Sequence, residues 1–165
     1  MVYVAISAII GYVIGSVNFA VILSQKLYGE DIRKSGSGNP GATNMIRIHG
    51  KKVGVAVFLC DFSKGLLAVA LAKILVVAFN APQETMLAAG FFAQLGHVLP
   101  VFHGFRGGKG VATAVGAAFA LMPLTAIILL ALFAVILFLT KYVAVASGVC
   151  AAVYPVLAYF LRGEN

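Results

Sequence analysis

Of the chain's 165 residues, 62% are hydrophobic and 10% charged, with a mean hydropathy of +1.04 and a formal net charge of +7. Soluble domains average roughly 45–50% apolar and about 25% charged residues, so a water-soluble globule is excluded and an integral membrane protein is indicated. The excess of cations falls in short loops beside apolar segments, which argues for membrane orientation and against a nucleic-acid partner.

No segment shows the apolar–polar alternation of a membrane barrel strand, so the expected fold is all-α, a polytopic membrane helix bundle. The first apolar segment, about Val2 to Leu23, carries Gly11, Gly15, Ser16 and Asn18, small and polar residues that let helix backbones approach closely in lipid. It lacks the positive start and small-residue cleavage site of a signal peptide, so it is expected to remain as a first helix. A polar stretch follows, about Ser24 to Lys52, with Lys26, Arg33, Lys34, Arg47, Lys51 and Lys52.

Segment two, about Val53 to Phe79, is apolar except for Asp61, Lys64 and Lys73. The turn Asn80-Ala-Pro-Gln-Glu84 leads to segment three, about Thr85 to Phe102, with Gln94, His97 and Pro100. After a glycine-rich basic loop, the apolar run from Val111 to Thr140 is too long for one straight span, and Pro123 divides it. Lys141 and Tyr142 mark an interface before segment six, about Val143 to Leu161, and the tail Arg162-Gly-Glu-Asn165. This reading gives six spans, provided that Val111–Met122 crosses; a tilted or partly re-entrant helix is the alternative there.

Loops rich in Lys and Arg stay in the cytoplasm. If the first loop is inside, alternate crossings also place Arg106, Lys109 and Lys141 inside and the N-terminus outside, leaving Arg162 on the outer side. There is no internal repeat to suggest an inverted-repeat transporter. Cys60 and Cys150 lie far apart in apolar segments without metal-ligand spacing, so they read as packing residues and no metal is expected.

The chemistry concentrates in two loops. Lys34-Ser-Gly-Ser-Gly-Asn-Pro-Gly-Ala-Thr-Asn-Met-Ile-Arg47 combines glycines, hydroxyls and amides, with Ser37, Asn39, Thr43 and Asn44 as hydrogen-bonding groups and Arg47 as a planar fork suited to phosphate. The same residues also suit plain turn and helix-capping chemistry, and both uses can hold at once. His103-Gly-Phe-Arg-Gly-Gly-Lys-Gly110 leads straight into the Val111 helix, the arrangement that brings backbone N–H groups and a helix N-terminus to an anion. It is not a Walker A loop, because Lys109 is followed by Gly110 and Val111. Its bland alternative is an interfacial loop whose cations meet lipid headgroups.

Asp61 and Lys64 are three apart and share a helix face, either as a structural ion pair or as functional charges within the membrane. Lys73 must snorkel or face the bundle interior. His97 reads as an acid–base group or as a hydrogen-bonding core residue, and His49 and His103 as interfacial.

Gly15-Ser16, Ser35-Gly-Ser-Gly-Asn-Pro-Gly-Ala-Thr-Asn44 with Arg47, Gly50-Lys-Lys52, Asp61-Phe-Ser-Lys-Gly65, Gly96-His-Val-Leu-Pro-Val-Phe102, Phe105-Arg-Gly-Gly-Lys-Gly-Val-Ala-Thr113 and Lys141-Tyr142 occur in this order. Together they resemble the bacterial acyl-phosphate:glycerol-3-phosphate acyltransferase family, the PlsY type, over most of the chain from Gly15 to Ser147. The resemblance implies a multi-pass inner-membrane enzyme that moves a fatty acyl group from acyl phosphate to the 1-hydroxyl of glycerol 3-phosphate. The products would be lysophosphatidic acid and phosphate, in the first step of phospholipid synthesis.

It also implies seven helices, an outside N-terminus and a cytoplasmic active site, without a cofactor. The implied partners are acyl phosphate, glycerol 3-phosphate and membrane lipids, with room for a soluble enzyme that makes the acyl phosphate. Carried onto matching positions, Ser37, Arg47 and Lys109 would be the catalytic, phosphate-gripping residues. Asn39, Gly41, Asn44, His97, Gly107, Gly108 and Ser147 would bind substrate, the backbone of Gly107 and Gly108 completing the cradle.

Three departures stand out. Ala144 stands where the family often has serine, Arg106 replaces a common lysine, and the family's last helix with its His-Arg-x-Asn-Ile segment is missing after Asn165. Residues 1–165 are therefore expected to form a single integral membrane acyltransferase domain that is C-terminally incomplete relative to the family, with six spans present of seven.

Acyl phosphate is already activated, so the expected mechanism is direct attack by the glycerol hydroxyl, without an acyl-enzyme. Phosphate itself or a nearby polar group would take the proton. The His-x4-Asp motif of acyl-CoA-dependent acyltransferases is absent, since Gly54, Phe102 and Gly108 stand five residues after His49, His97 and His103. A channel or transporter for an organic phosphate is the non-enzyme alternative.

Overall fold

The computed structural model describes residues 1–161, and the described chain is helical almost throughout. The expected outer tail at Arg162 to Asn165 lies outside the described residues. Two compact units divide the chain, Met1–Ala117 and Ala118–Asn165.

In the first unit the leading apolar segment is two helices rather than one. Helix α1 spans Val2–Ser16, and α2 runs from Phe19 to Tyr28, beyond the Leu23 boundary expected from the sequence. At the break between them, the Asn18 side chain caps α2 by accepting from the Val21 amide at 3.1 Å. A glycine in the left-handed region, Gly29, ends α2, and after a 3-10 turn at Ile32–Lys34 come α3, Ala42–His49, and α4, Lys51–Phe79. Helix α5 covers Glu84–Val98, a second 3-10 turn covers Val101–His103, and α6 covers Val111–Leu121.

Close packing of α1 on α5 uses a small-residue stripe. Gly11 and Gly15 face the backbone of Ala89 and Ala93, and a Cβ on either glycine would overlap those carbonyls. Lipid gives no hydrophobic drive for helices to associate, so such backbone approach supplies the van der Waals contact that holds them. Tyr12 closes the far end of this pair by donating its hydroxyl to the Leu99 carbonyl at 2.8 Å. A similar contact sets Gly65 of α4 on the Thr113 carbonyl of α6.

Beneath the first polar loop lies the apolar cluster of this unit: Ala20, Val21, Ile32, Met45 and Val57. Ile32 is fully buried and its amide donates to the Ser24 hydroxyl at 3.3 Å, which pins the loop onto α2, α3 and α4. Lys73 is exposed near the end of α4, the placement that lets its ammonium snorkel toward an interface.

The second unit holds α7, Pro123–Thr140, and α8, Val143–Phe160, packed as a hairpin. Pro123 begins α7 at a position where its missing N–H costs nothing. Lys141 takes a left-handed conformation at the turn and sets its Nζ 4.6 Å from the Phe138 ring centre. Both cysteines are free, and the Cys150 thiol donates to the Leu129 carbonyl at 3.4 Å.

Among the described residues five helical segments have the length and composition of a span: Val2–Tyr28, Lys51–Phe79, Glu84–His103, Pro123–Thr140 and Val143–Phe160. The expected sixth, α6, has 11 residues, about 16 Å at 1.5 Å per residue, against a hydrocarbon core of about 30 Å. The count of six therefore rests on whether that short helix crosses.

Candidate active site

The first loop is built around Asn44. Its Oδ1 accepts from the Ser37 amide at 3.0 Å, while its Nδ2 donates to the carbonyls of Ser35 at 3.0 Å and Ile32 at 3.3 Å. One buried amide thus folds Ser35–Gly38 back onto the first turn of α3. Gly41 supplies the N-cap carbonyl, accepting from the amides of Asn44 and Met45. Ser37, Thr43 and Arg47 are left exposed, with Asn39 half-buried beside them. Arg47 lies one turn beyond Asn44 and makes no hydrogen bond or ion pair among the described residues.

The second loop returns along the end of α5. The Gly107 amide donates to the Val98 carbonyl and the Gly108 amide to the His97 carbonyl, both at 3.1 Å. These N–H groups, which the sequence offered to an anion, are directed at the C-terminal carbonyls of α5. What Gly108 provides instead is space, because a Cβ there would overlap His97 Nε2 and lie 2.9 Å from the Pro40 carbonyl. The first loop, the second loop and the His97 imidazole therefore converge at a point where no side chain fits. Lys109, the next residue, is exposed.

Arg33 fastens the two loops together, a role that the sequence reading missed. Its guanidinium donates to Asp31 through Nε at 3.0 Å and NH2 at 2.7 Å, and through NH1 to the carbonyls of His103 at 2.7 Å and Arg106 at 3.4 Å. The hydrogen bond from Arg33 holds the Asp31 carboxyl below its usual range, and Asp31 in turn raises the guanidinium. The available signal was an acidic residue two positions from an arginine in a mostly basic loop. Nearby, His49 stacks on Tyr28 with ring centres 3.8 Å apart and lies 3.2 Å from Glu30, which ties the ends of α2 and α3.

Behind the loops lies a buried charged cluster. Lys64 Nζ sits 3.1 Å from Asp61 and donates to the carbonyls of Gly15 at 2.9 Å and Val17 at 2.7 Å, so it caps the C-terminal end of α1. His97 Nδ1 is 3.5 Å from the same carboxylate oxygen of Asp61. Ser147 belongs to the second unit, where its hydroxyl donates to the Ala144 carbonyl at 3.1 Å.

In chemical terms, the first unit presents Ser37, Arg47 and Lys109 on loops that are sewn together, backed by the buried His97. Cations and hydrogen-bond donors so arranged suit an anionic, phosphate-bearing ligand. No group of His, Cys, Asp and Glu suited to a metal ion occurs among the described residues.

The model of the glycerol-3-phosphate acyltransferase family matches residues 5–164. A glycerol-3-phosphate acyltransferase of Finegoldia magna is 41% identical over 162 residues, spanning 97% of this chain and 79% of the relative. One from Neisseria gonorrhoeae is 44% identical over 152 residues, spanning 92% and 76%. The crystal structure of PlsY (YgiH), an integral membrane glycerol 3-phosphate acyltransferase, in its glycerol 3-phosphate form, is similar with TM-score 0.86 and 38% identity, covering 95% of this chain and 76% of that one. Its lysophosphatidic acid form gives 0.82 and 35% over the same shares. With its five long apolar helices and this likeness, the chain is a multi-pass membrane protein.

Proposed function

Because the chain belongs to the glycerol-3-phosphate acyltransferase family, we propose that it transfers a fatty acyl group from acyl phosphate to the 1-hydroxyl of glycerol 3-phosphate. Lysophosphatidic acid and inorganic phosphate are the products. The observation that carries this reading is the fastening of the two loops by Arg33 and at Gly108, which leaves Ser37, Arg47 and Lys109 exposed on one sewn structure. The glycerol 3-phosphate and lysophosphatidic acid forms of the similar crystal structure support this choice of substrate and product.

Both substrates carry phosphate, and bringing two anions together costs Coulomb energy that arginine, lysine and hydroxyl donors offset. Ser37, Arg47 and Lys109 grip the phosphates. Asn39, Gly41, Asn44, Gly107 and Gly108 set the shape of the loops, and His97 faces their junction. The hydroxyl oxygen attacks the acyl carbonyl carbon, the bond from that carbon to the phosphate oxygen breaks, and phosphate leaves with the electron pair. The hydroxyl proton passes to phosphate or to a neighbouring polar group. The donor already carries its leaving group, so no nucleophilic side chain takes part.

The reading includes a bacterial inner-membrane location with the cationic loops in the cytoplasm and the N-terminus outside, supported by the gathering of Arg33, Lys34, Arg47, Arg106 and Lys109 on the joined loops. The purified protein in lipidic mesophase, given acyl phosphate and glycerol 3-phosphate, is expected to release phosphate and form lysophosphatidic acid. Arg47→Ala and Lys109→Ala should each cut kcat/KM by at least about tenfold. Unchanged rates in both variants would refute the phosphate assignment, and an acyl-enzyme trapped on quenching would refute direct attack.

A further inference from the structure

Asp61 was open to two uses from sequence, as a counter-ion or as a functional charge, and its surroundings give it both. The ammonium of Lys64 donates to the Gly15 and Val17 carbonyls and pairs by charge with Asp61 Oδ1 at 3.1 Å. Asp61 therefore neutralises a cation whose main task is to cap α1. The same oxygen of Asp61 also faces His97 Nδ1 from 3.5 Å. Both atoms are buried, and neither makes a well-formed hydrogen bond with any other group. A histidine nitrogen buried without a partner is costly, and Asp61 is the acceptor in reach. Such contacts are often long without substrate and tighten when it binds.

The other end of the imidazole explains why this matters. A Cβ on Gly108 would overlap His97 Nε2 and also approach the Pro40 carbonyl, so Nε2 lies against Gly108 at the junction of the two loops. The ring thus runs from Asp61 to that junction. A proton fixed on Nδ1 by Asp61 leaves Nε2 as a hydrogen-bond acceptor there.

We propose that Asp61 is a positioning residue for acyl transfer: it holds the His97 ring and its Nδ1–H tautomer, so that Nε2 accepts a hydrogen bond from the hydroxyl of glycerol 3-phosphate. The inference rests on the acyltransferase reading above. Accepting that bond orients the hydroxyl oxygen toward the acyl carbonyl and adds electron density to it as the new bond forms.

Two double variants and one spectrum test this. Asp61→Leu with Lys64→Met removes both charges and the acceptor. Asp61→Asn with Lys64→Met removes both charges but keeps a carbonyl oxygen that can accept from Nδ1. In the wild-type protein, nitrogen-15 spectra of labelled histidine, assigned with His49→Gln and His103→Gln, should show His97 as the Nδ1–H tautomer. The leucine variant should lose at least about tenfold in kcat with KM for glycerol 3-phosphate nearly unchanged, and the asparagine variant should recover most of that loss.

Equal activity of the two double variants, or wild-type rates in the folded leucine variant, would overturn the proposal. So would an Nε2–H tautomer in the wild type, a measurement that stands even if the leucine variant does not fold. If the wild type itself transfers no acyl group, the acyltransferase reading fails, while the tautomer still reports on Asp61 separately.

Discussion

The Lys64 ammonium donates to the Val17 carbonyl at 2.7 Å across 47 positions of sequence, placing a buried cation at the break between α1 and α2. Where a helix ends inside a membrane protein, its last carbonyls have no water to turn to, and a lysine from a neighbouring helix is one of the few groups that can satisfy them.

From this follows a prediction for the single variant. Lys64→Met strands Asp61 as an unpaired buried charge and frees the α1 carbonyls, so it should cost about 3–5 kcal/mol. Thermal unfolding in detergent should show that Asp61→Asn with Lys64→Met recovers part of the loss. A double variant less stable than the single would contradict this account.

Gly15 is expected to tolerate no side chain. Gly15→Val would press on the Ala93 backbone and separate α1 from α5, lowering the unfolding temperature, whereas Val13→Leu on the exposed side of α1 should leave it unchanged. The pair of melting curves decides the matter.

Asn44→Ala removes three hydrogen bonds, each worth about 0.5–1.5 kcal/mol; the Ile32 and Ser35 carbonyls keep their turn bonds from the Ser35 and Gly38 amides, and the Ser37 amide loses its partner. Since those bonds shape the loop that presents Ser37, KM for glycerol 3-phosphate should rise by at least about tenfold in enzyme that still folds. Steady-state kinetics alongside a melting curve separates the two effects.

Arg33→Lys keeps the charge and loses the fork that reaches Asp31, His103 and Arg106 together. The second loop should then open more often, and trypsin should cut after Arg106 and Lys109 faster than in the wild type.

The Asp31–Arg33 pair also carries a pH signature. Burial opposes ionisation of Asp31, but the Arg33 hydrogen bond outweighs it and lowers the folded-state value below the ordinary 3.8. A lowered carboxyl value contributes stability that is fully present above the unfolded value and is lost as pH falls through the folded one. Protection of the second loop from proteolysis should therefore hold from pH 8 to pH 5 and weaken only below about 3.8, as read with an acid-active protease.

Sequence alone determined that this chain lives in a membrane, because hydropathy sums over single residues and needs no partner. It located the two loops, and the ordered motifs from Gly15 to Lys141 pointed to the family. Gly11 and Gly15 were also legible as a packing stripe, since small residues one turn apart carry that meaning by themselves.

Tertiary contact alone decided the rest. Whether Asp61 and Lys64 were an ion pair or a site had no local answer, because the acceptors of Lys64 lie on α1 and the second partner of Asp61 lies on α5. The end of the leading helix at Ser16 depends on Asn18 capping α2 and on a lysine far along the chain, so an apolar run through Leu23 did not reveal it. Arg33 looked like one more loop cation until its NH1 met a carbonyl 70 residues away. The Gly107 and Gly108 amides looked free because the carbonyls that take them, on Val98 and His97, come into reach only when the loop folds back on α5. Hydrogen bonds act over about 3 Å, and which groups come that close is set by the folded chain rather than by any window of its sequence.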